Sequence, residues 1–483
     1  MKKNVIKIMS FICILFILLN QVDRVLRFKY CDGIYGLDKF YKLEDNCVDV
    51  LFLGSSHAFA DISPAILYKN YGFTTYDLGG SLQPLWNTYY YMREALKTQS
   101  PNLIVLEAYM TTFESDYSDE SRIIKNNFGL KWSKDKVDSL FISSPETRRF
   151  SYFPDWVYYH GRYQEISKQD FLGVPQEIET DDNWKGHTVM FGVNEQSMPM
   201  EYSSVMAPMT LKNELYYRKI IELAQEEEIP VLIMVSPYAA YSVEDSAIYL
   251  HAEQIASEYG VRFIDYNKKY DELGLDFSKD CADIGHLNYR GVDKLTNAVG
   301  KLIDELYEVP DRRDENANES WESNVKYYEQ MIKNYELSQM EKLEGYIESL
   351  HGCNENYIII ITAIGEAGTK YLEEILVALT NSKSVSVGQN AVWVLDGNSI
   401  IDYSDGYEEY FFHKEIGSSD LAVIGQMITL ADGNYYYEKK VFINHQELGK
   451  TDKGINIVVY DKLTDSLVDN VGFIEEYNFE SVR

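Results

Sequence analysis

The stretch Val48-Asp49-Val50-Leu51-Phe52-Leu53-Gly54-Ser55-Ser56-His57 constrains this chain more than any other. A short apolar run closed by Gly and two serines reads as a buried parallel strand that empties into a tight turn. Open α/β sheets bind their ligands at the carboxyl ends of strands, so a Ser presented there stands where a reactive group belongs. Downstream the pattern alternates. Ser63-Pro64 supplies an N-cap and a first helical position for a helix that runs through Asn70 and stops at Gly72. Strands are expected at Thr74–Leu78, Asn102–Leu106, Pro230–Val235 and Val261–Ile264, and helices at Pro84–Lys97, Lys212–Glu227, Glu244–Tyr259 and Tyr289–Leu306. Such alternation implies a parallel sheet between helical layers, a three-layer α/β/α domain.

The second informative stretch is Asp283-Ile284-Gly285-His286, which sets a carboxylate and an imidazole three residues apart ahead of the last of those helices. Ser, His and Asp are the parts that activate a hydroxyl nucleophile: the His takes the Ser proton, and the Asp orients and charges the imidazole. Ser56, His286 and Asp283 are therefore the candidate catalytic residues. His57, beside the nucleophile, reads as structural. No Gly-rich phosphate loop is evident and none of the five cysteines has the spacing of a metal site, so neither a metal nor a soluble cofactor is expected. Cys31 and Cys47 bracket a short loop and could pair in an oxidising compartment, whereas Cys281 and Cys353 read as free.

These motifs resemble those of the SGNH (GDSL-like) hydrolase superfamily over roughly residues 46–308. In that family's first block the nucleophile stands two residues after the Gly, which is Ser56 here, and the last block supplies Asp283 and His286. The second block corresponds to Tyr76-Asp77-Leu78-Gly79-Gly80-Ser81-Leu82-Gln83, with Leu82 where the family has Gly. The resemblance implies that the backbone N–H groups of Ser56 and Leu82 hold the oxyanion. In the third block, Ile104-Val105-Leu106-Glu107-Ala108-Tyr109-Met110-Thr111, Thr111 falls near the position of the family's Asn donor. That departure matches the membrane-anchored, transferase-like branch, which includes the D-alanyl transfer protein of teichoic acid synthesis and the acetyltransferases of alginate.

Between about Met110 and Pro208 lies a long aromatic insertion carrying His160, Arg162 and Lys185. Together with Tyr109 these are candidate substrate contacts, an Arg being suited to an anionic sugar or phosphate; as single residues they also suit a solvated surface. The N-terminus pairs Lys2, Lys3 and Lys7 with an apolar run from Ile8 to Leu19 and lacks a small-x-small cleavage site. It reads as an uncleaved signal-anchor, lysines inside and the body outside the cell. The chain carries 45 basic and 76 acidic residues, a net charge of −31, which argues against nucleic acid as a partner. Its 40 tyrosines suit either sugar-facing surfaces or ordinary cores.

Past Pro310 the composition shifts. Asp311 to Ser320 reads as a linker, and Trp321, Val325, Tyr328, Ile332 and Tyr335 then recur at helical spacing as a packing stripe. From Tyr357 a separate β-rich domain is expected, with further strands at Ala391–Leu395, Leu421–Ile424 and Ile455–Tyr460. The segments Gly454–Asp461 and Val468–Phe473 resemble the first hairpin of the interleukin-like EMT-inducer domain, in permuted order, which implies a carbohydrate-associated accessory. The expected division is anchor and stalk 1–45, SGNH-like domain 46–308, linker and helix 309–355, and accessory domain 356–483.

Taken with the resemblance, the expectation is a membrane-anchored, extracytoplasmic O-acyltransferase that moves an acyl group, most readily acetyl, to or from a cell-surface or secreted polysaccharide. A membrane-bound O-acyltransferase partner would deliver the acyl group. A carbohydrate esterase with the same triad and a catalytically silent glycan-binding or assembly protein are the alternatives.

Overall fold

The computed structural model describes residues 2–28, 31–172, 184–313, 319–351, 354–364, 366–380, 387–388, 390–433, 435–451, 453–474 and 479–483. They form two compact units, Met1–Val325 and Lys326–Arg483.

The first unit is built on five parallel strands in the order β2-β1-β3-β4-β5, namely Thr75–Gly79, Val50–Gly54, Leu103–Glu107, Val231–Val235 and Arg262–Asp265. The first four are five residues long, and β1, β3 and β4 are largely apolar and buried along their whole length, as strands covered on both faces must be. Leu51, Leu53, Ile104, Leu106, Ile233 and Val235 face one helical layer, where Trp86, Tyr217, Ile220, Tyr249 and Ile255 complete the core. Helices Pro64–Tyr71 and Tyr289–Leu306 cover the other face. They approach so closely that a Cβ on Gly300 would stand 2.3 Å from the Tyr71 ring.

Local chemistry accounts for several boundaries. Gly72 ends its helix at φ +77°, a left-handed conformation that an L side chain resists. Asn288 accepts the N–H groups of Arg290 and Gly291 and so opens helix Tyr289–Leu306, the span read from the sequence. Much of the tyrosine content is core: Tyr76, Tyr91, Tyr217, Tyr249 and Tyr346 are all buried, which favours the plainer of the two readings.

The insertion after β3 is helical, with Glu120–Asn127 and Lys134–Ser143 its longer helices and Ile123, Ile124, Phe128, Leu140, Tyr152 and Tyr159 its own small core. Helix Lys2–Leu26 includes a segment, Val5–Leu26, long and apolar enough to cross a membrane. Cys47 is a free thiol, so the pairing with Cys31 is not formed; burial pushes that thiol up to about 11. The side chain of Cys31, and all of Cys353, lie outside the described residues.

The expected linker does not behave as one throughout. Arg312 grips the Asp49 carboxylate with two nitrogens at 2.9 and 3.0 Å, and helix Glu319–Ser338 has already begun at its far end. Residues 314–318 lie outside the described residues. Within that helix Trp321 donates to the carbonyl of Thr75 at 3.2 Å and packs into the first unit's core, whereas Leu337 belongs to the core of the second.

The second unit pairs two antiparallel sheets. One runs β15-β14-β13-β6-β7-β8, that is Ser481–Val482, Ser466–Phe473, Gly454–Asp461, Tyr357–Ile364, Ala391–Asp396 and Ser399–Ser404. The other runs β12-β11-β10-β9, that is Gln446–Leu448, Tyr435–Ile443, Ser419–Thr429 and Tyr410–Ile416. The side-chain period of two splits the Ile358–Ile361 run. Ile358 and Ile360 face the second sheet through Val423 and Val441, whereas Ile359 and Ile361 face helices Leu343–His351 and Glu366–Thr380.

Candidate active site

Strand β1 ends at Gly54, and helix Ser56–Asp61 follows at once. Gly is required there by close approach: a Cβ would stand 2.9 Å from Cβ of Glu107 on the adjacent strand. Ser55 points inward, with its hydroxyl buried and without a hydrogen-bond partner among the described residues. Ser56 is turned the other way, and its Oγ lies 2.8 Å from Nε2 of His286. Nδ1 of His286 sits 3.1 Å from each oxygen of Asp283, which also accepts the N–H groups of Gly285 and His286 at 2.6 and 2.8 Å. With Nδ1 carrying the proton toward Asp283, Nε2 presents its lone pair to the Ser56 hydroxyl, the arrangement that draws off a hydroxyl proton. Ser56, His286 and Asp283 are thus brought together across 230 residues of sequence.

The titration of the pair follows from its partners. The hydrogen bond from His286, helped by its charge and two backbone N–H groups, outweighs burial and brings Asp283 down to about 2. Burial alone would lower the His286 imidazole. The Asp283 hydrogen bond and the charges of Asp61 and Asp283 outweigh it, so His286 titrates above an ordinary histidine.

Sequence reasoning missed the next layer. His57 is buried, and its Nδ1 is 2.9 Å from Oδ2 of Asp61, while Oδ1 of Asp61 accepts the N–H of Leu287 at 2.9 Å. One carboxylate therefore joins the helix that carries Ser56 to the loop that carries His286. The His57 ring lies 4.2 Å from Tyr109 and 4.9 Å from His286, centroid to centroid. Tyr238 packs edge-on against Tyr109 at 5.2 Å. Behind them Glu107 is pushed up to about 8 by burial and accepts the N–H groups of Tyr109 and Ser236 at 3.2 and 3.4 Å. The spacing His57-x-x-x-Asp61, one helical turn, was the only available signal.

Replacing Asp61 by Asn should separate support from mere scaffolding. The charged groups facing His286 are Asp283 on its own loop and Asp61 with neutral His57 on the nucleophile helix, with Glu107 behind Asp61. Removing the Asp61 charge lowers the His286 pKa. The rise of kcat/KM with pH, which reports neutral His286, should then move to lower pH while the rate falls about tenfold, the worth of one buried hydrogen bond. A rate loss with an unmoved pH profile would make Asp61 purely structural.

The other candidates fare differently. Tyr109 stands beside the site as described. Leu82 has φ +43°, the left-handed region that favours Gly, and its amide takes no partner among the described residues. Thr111 is not an oxyanion donor: it is buried, and its hydroxyl donates to the carbonyl of Ala108 at 2.8 Å. Arg162 does not reach the site. It is buried, pairs with Asp170 at 3.1 Å and donates to the carbonyls of Leu26 and Arg27, tying the end of the N-terminal helix to the insertion. Lys185 lies over the Trp321 ring at 4.7 Å and contacts Ser320, in a recess of about 210 Å³ that it shares with Asp77 and Trp184 and that neither Ser56 nor His286 lines. His160 is exposed on a turn and its ring contacts the carbonyl of Val157. Long side chains at a distance in sequence were here recruited by packing, which no local pattern reports.

The first unit thus combines a parallel sheet in the order β2-β1-β3-β4-β5 with a Ser at the carboxyl end of β1 and an Asp-x-x-His just before helix Tyr289–Leu306. No family model matches the chain, and no curated protein matches it. Among solved structures it is similar to a protein described as lipolytic and of the G-D-S-L family from Desulfitobacterium hafniense, at 9% identity over 52% of this chain and 98% of that one, with a TM-score of 0.28. A protein described as an acylhydrolase from Bacteroides fragilis matches at 12% identity over 56% and 94%, TM-score 0.28. A gut microbial diltiazem-metabolizing enzyme matches at 12% identity over 81% and 60%, TM-score 0.21.

Proposed function

We propose that the protein is an SGNH-type serine enzyme that transfers an acyl group, most readily acetyl, to a hydroxyl of a cell-surface or secreted polysaccharide. The observation that carries the reading is the 2.8 Å contact of Ser56 Oγ with His286 Nε2, backed by Asp283 on the opposite ring nitrogen. Ser56 Oγ attacks the acyl carbonyl while its proton passes to His286. The donor's alkoxide departs with that proton and leaves a Ser56 ester. An acceptor hydroxyl then gives its proton to His286 and attacks the ester, and the proton returns to Ser56. The N–H groups of Ser56 and Leu82 serve the oxyanion, a role supported by the Leu82 amide, which has no partner among the described residues. Water in place of the sugar hydroxyl makes the same site an esterase. The absence of a side-chain donor at Thr111 favours transfer, since it departs from the hydrolase pattern.

The apolar segment Val5–Leu26 supports an anchored protein, Lys2, Lys3 and Lys7 before and within it support a body outside the cell, and a membrane-bound O-acyltransferase is the partner this reading calls for. The β-rich second unit is proposed as a glycan-facing accessory, supported by the exposed rings of Tyr403 and Phe411.

Incubation with an activated acetyl ester should add one acetyl mass to the peptide containing Gly54-Ser55-Ser56. Adding an oligosaccharide acceptor should then move acetyl onto the sugar. Release of free acetate alone, whatever the acceptor, would establish the esterase instead, and no acylation of that peptide would sink both readings.

A further inference from the structure

From Val5 to Leu19 every large apolar side chain of the N-terminal helix is exposed, and at its other end the helix is built into the insertion. Leu26 and Phe28 pack against the insertion's core. Arg162 donates to the carbonyls of Leu26 and Arg27 and lies 4.5 Å over the Phe28 ring, and Asp170 holds its other side. This is a fixed junction. At a rise of about 1.5 Å per residue, a hydrocarbon core of about 30 Å takes about 20 residues, so a span that starts near Val5 ends near Arg24 and the last turns of the helix emerge at the headgroups. Whatever packs on those turns stands at the height of the lipid headgroups.

What packs there is aromatic and exposed. Trp132 is 53% exposed and lines a recess with Asn20, Asp23, Arg24 and Arg27. Rings run outward from it, Trp132 to Phe153 at 5.6 Å, Phe153 to Phe141 at 5.8 Å, and Phe141 to Phe150 at 6.2 Å, and Phe150 is 75% exposed. Tyr163 and Phe171 are 65% and 60% exposed, and each adjoins a member of the Arg162–Asp170 pair that clamps the helix end. Single exposed aromatics are ordinary. Four on elements gathered around the end of one apolar helix match the aromatic belt of a membrane interface, where an apolar ring body and a polar rim are both satisfied. Arg24 and Lys131 lie in the same recess, suited to lipid phosphates, on a chain that is otherwise strongly acidic.

We propose that the helical insertion is a membrane-docking platform, in which Trp132, Phe150, Tyr163 and Phe171 enter the headgroup region of the bilayer that the N-terminal helix crosses and hold the first unit against the lipid surface. The proposal rests on the reading of that helix as a membrane span. It makes the unit's height above the bilayer a property of the fold, so that a donor carried in the membrane meets the unit at a set distance.

The test uses the full chain in protein-free phosphatidylcholine vesicles containing nitroxide-labelled phosphatidylcholine. The chain has six tryptophans, so the contribution of Trp132 is the difference between wild type and Trp132→Phe. That contribution should be quenched roughly threefold more strongly than the mean of the rest. The triple variant Phe150→Ser, Tyr163→Ser, Phe171→Ser should lose much of the excess while still floating with the vesicles, with near-ultraviolet circular dichroism confirming its fold. A chain that floats but leaves Trp132 unquenched overturns the platform and leaves the span standing; the patch would then cover a protein partner. A chain that does not float overturns the span, and the platform with it.

Discussion

Ser56→Ala is expected to lower turnover of an activated acetyl ester by at least about 10³-fold, and His286→Ala by as much, because the members of such a unit are strongly non-additive. The double variant should be little worse than either single one. Asp283→Ala should leave more activity: His286 keeps its backbone position, but it loses the partner that fixes its tautomer and raises its pKa. Since His286 takes up the Ser56 proton only when neutral, wild-type kcat/KM should rise with pH through the elevated His286 pKa and show no acidic optimum. Ser55→Ala is the register control. Its hydroxyl is buried and has no hydrogen-bond partner among the described residues, so the variant should stay within a fewfold of wild type and still acquire the acetyl mass. If Ser55→Ala is inactive while Ser56→Ala turns over normally, the triad has been assigned to the wrong serine.

The second large effect lies in the insertion and concerns stability. Lys136 is buried with its ammonium 2.6 Å from Asp155, and it also donates to the carbonyls of Phe128 and Leu130 at 3.1 and 2.9 Å. Both partners are almost wholly removed from solvent, so neither charge has water to turn to. Asp155→Ala strands the ammonium and should destabilise the first unit by about 3–5 kcal/mol, read from the urea midpoint of its unfolding. The pair replaced together, Lys136→Met with Asp155→Leu, should recover most of that loss, because desolvation then disappears along with the attraction. A loss below about 1 kcal/mol for Asp155→Ala would mean that the ammonium reaches water or sheds its proton at little cost.

The sequence by itself determined what local chemistry controls. Apolar runs of five residues, periods of 3.6 and two, and caps such as Asn288 and Gly72 located the strands and helices of the sheet domain within a residue or two. Ser56 and Asp283-x-x-His286 were legible for the same reason: each sits in a short motif whose turn orders itself, the first at a strand end and the second around the Asp283 carboxylate. The tertiary structure alone decided which distant groups meet. Arg162, Lys185 and Thr111 had the side chains a substrate site would use, yet packing gave them to the helix end, to Trp321 and to Ala108. It also enlisted Asp61, through Leu287, to hold the two halves of the site together, and carried the boundary between units into a continuous helix at Val325. A pattern in sequence reports periodicity and turn geometry over a few residues. The partner of a buried charge or hydroxyl is chosen instead by what desolvation leaves within reach, often more than a hundred residues away.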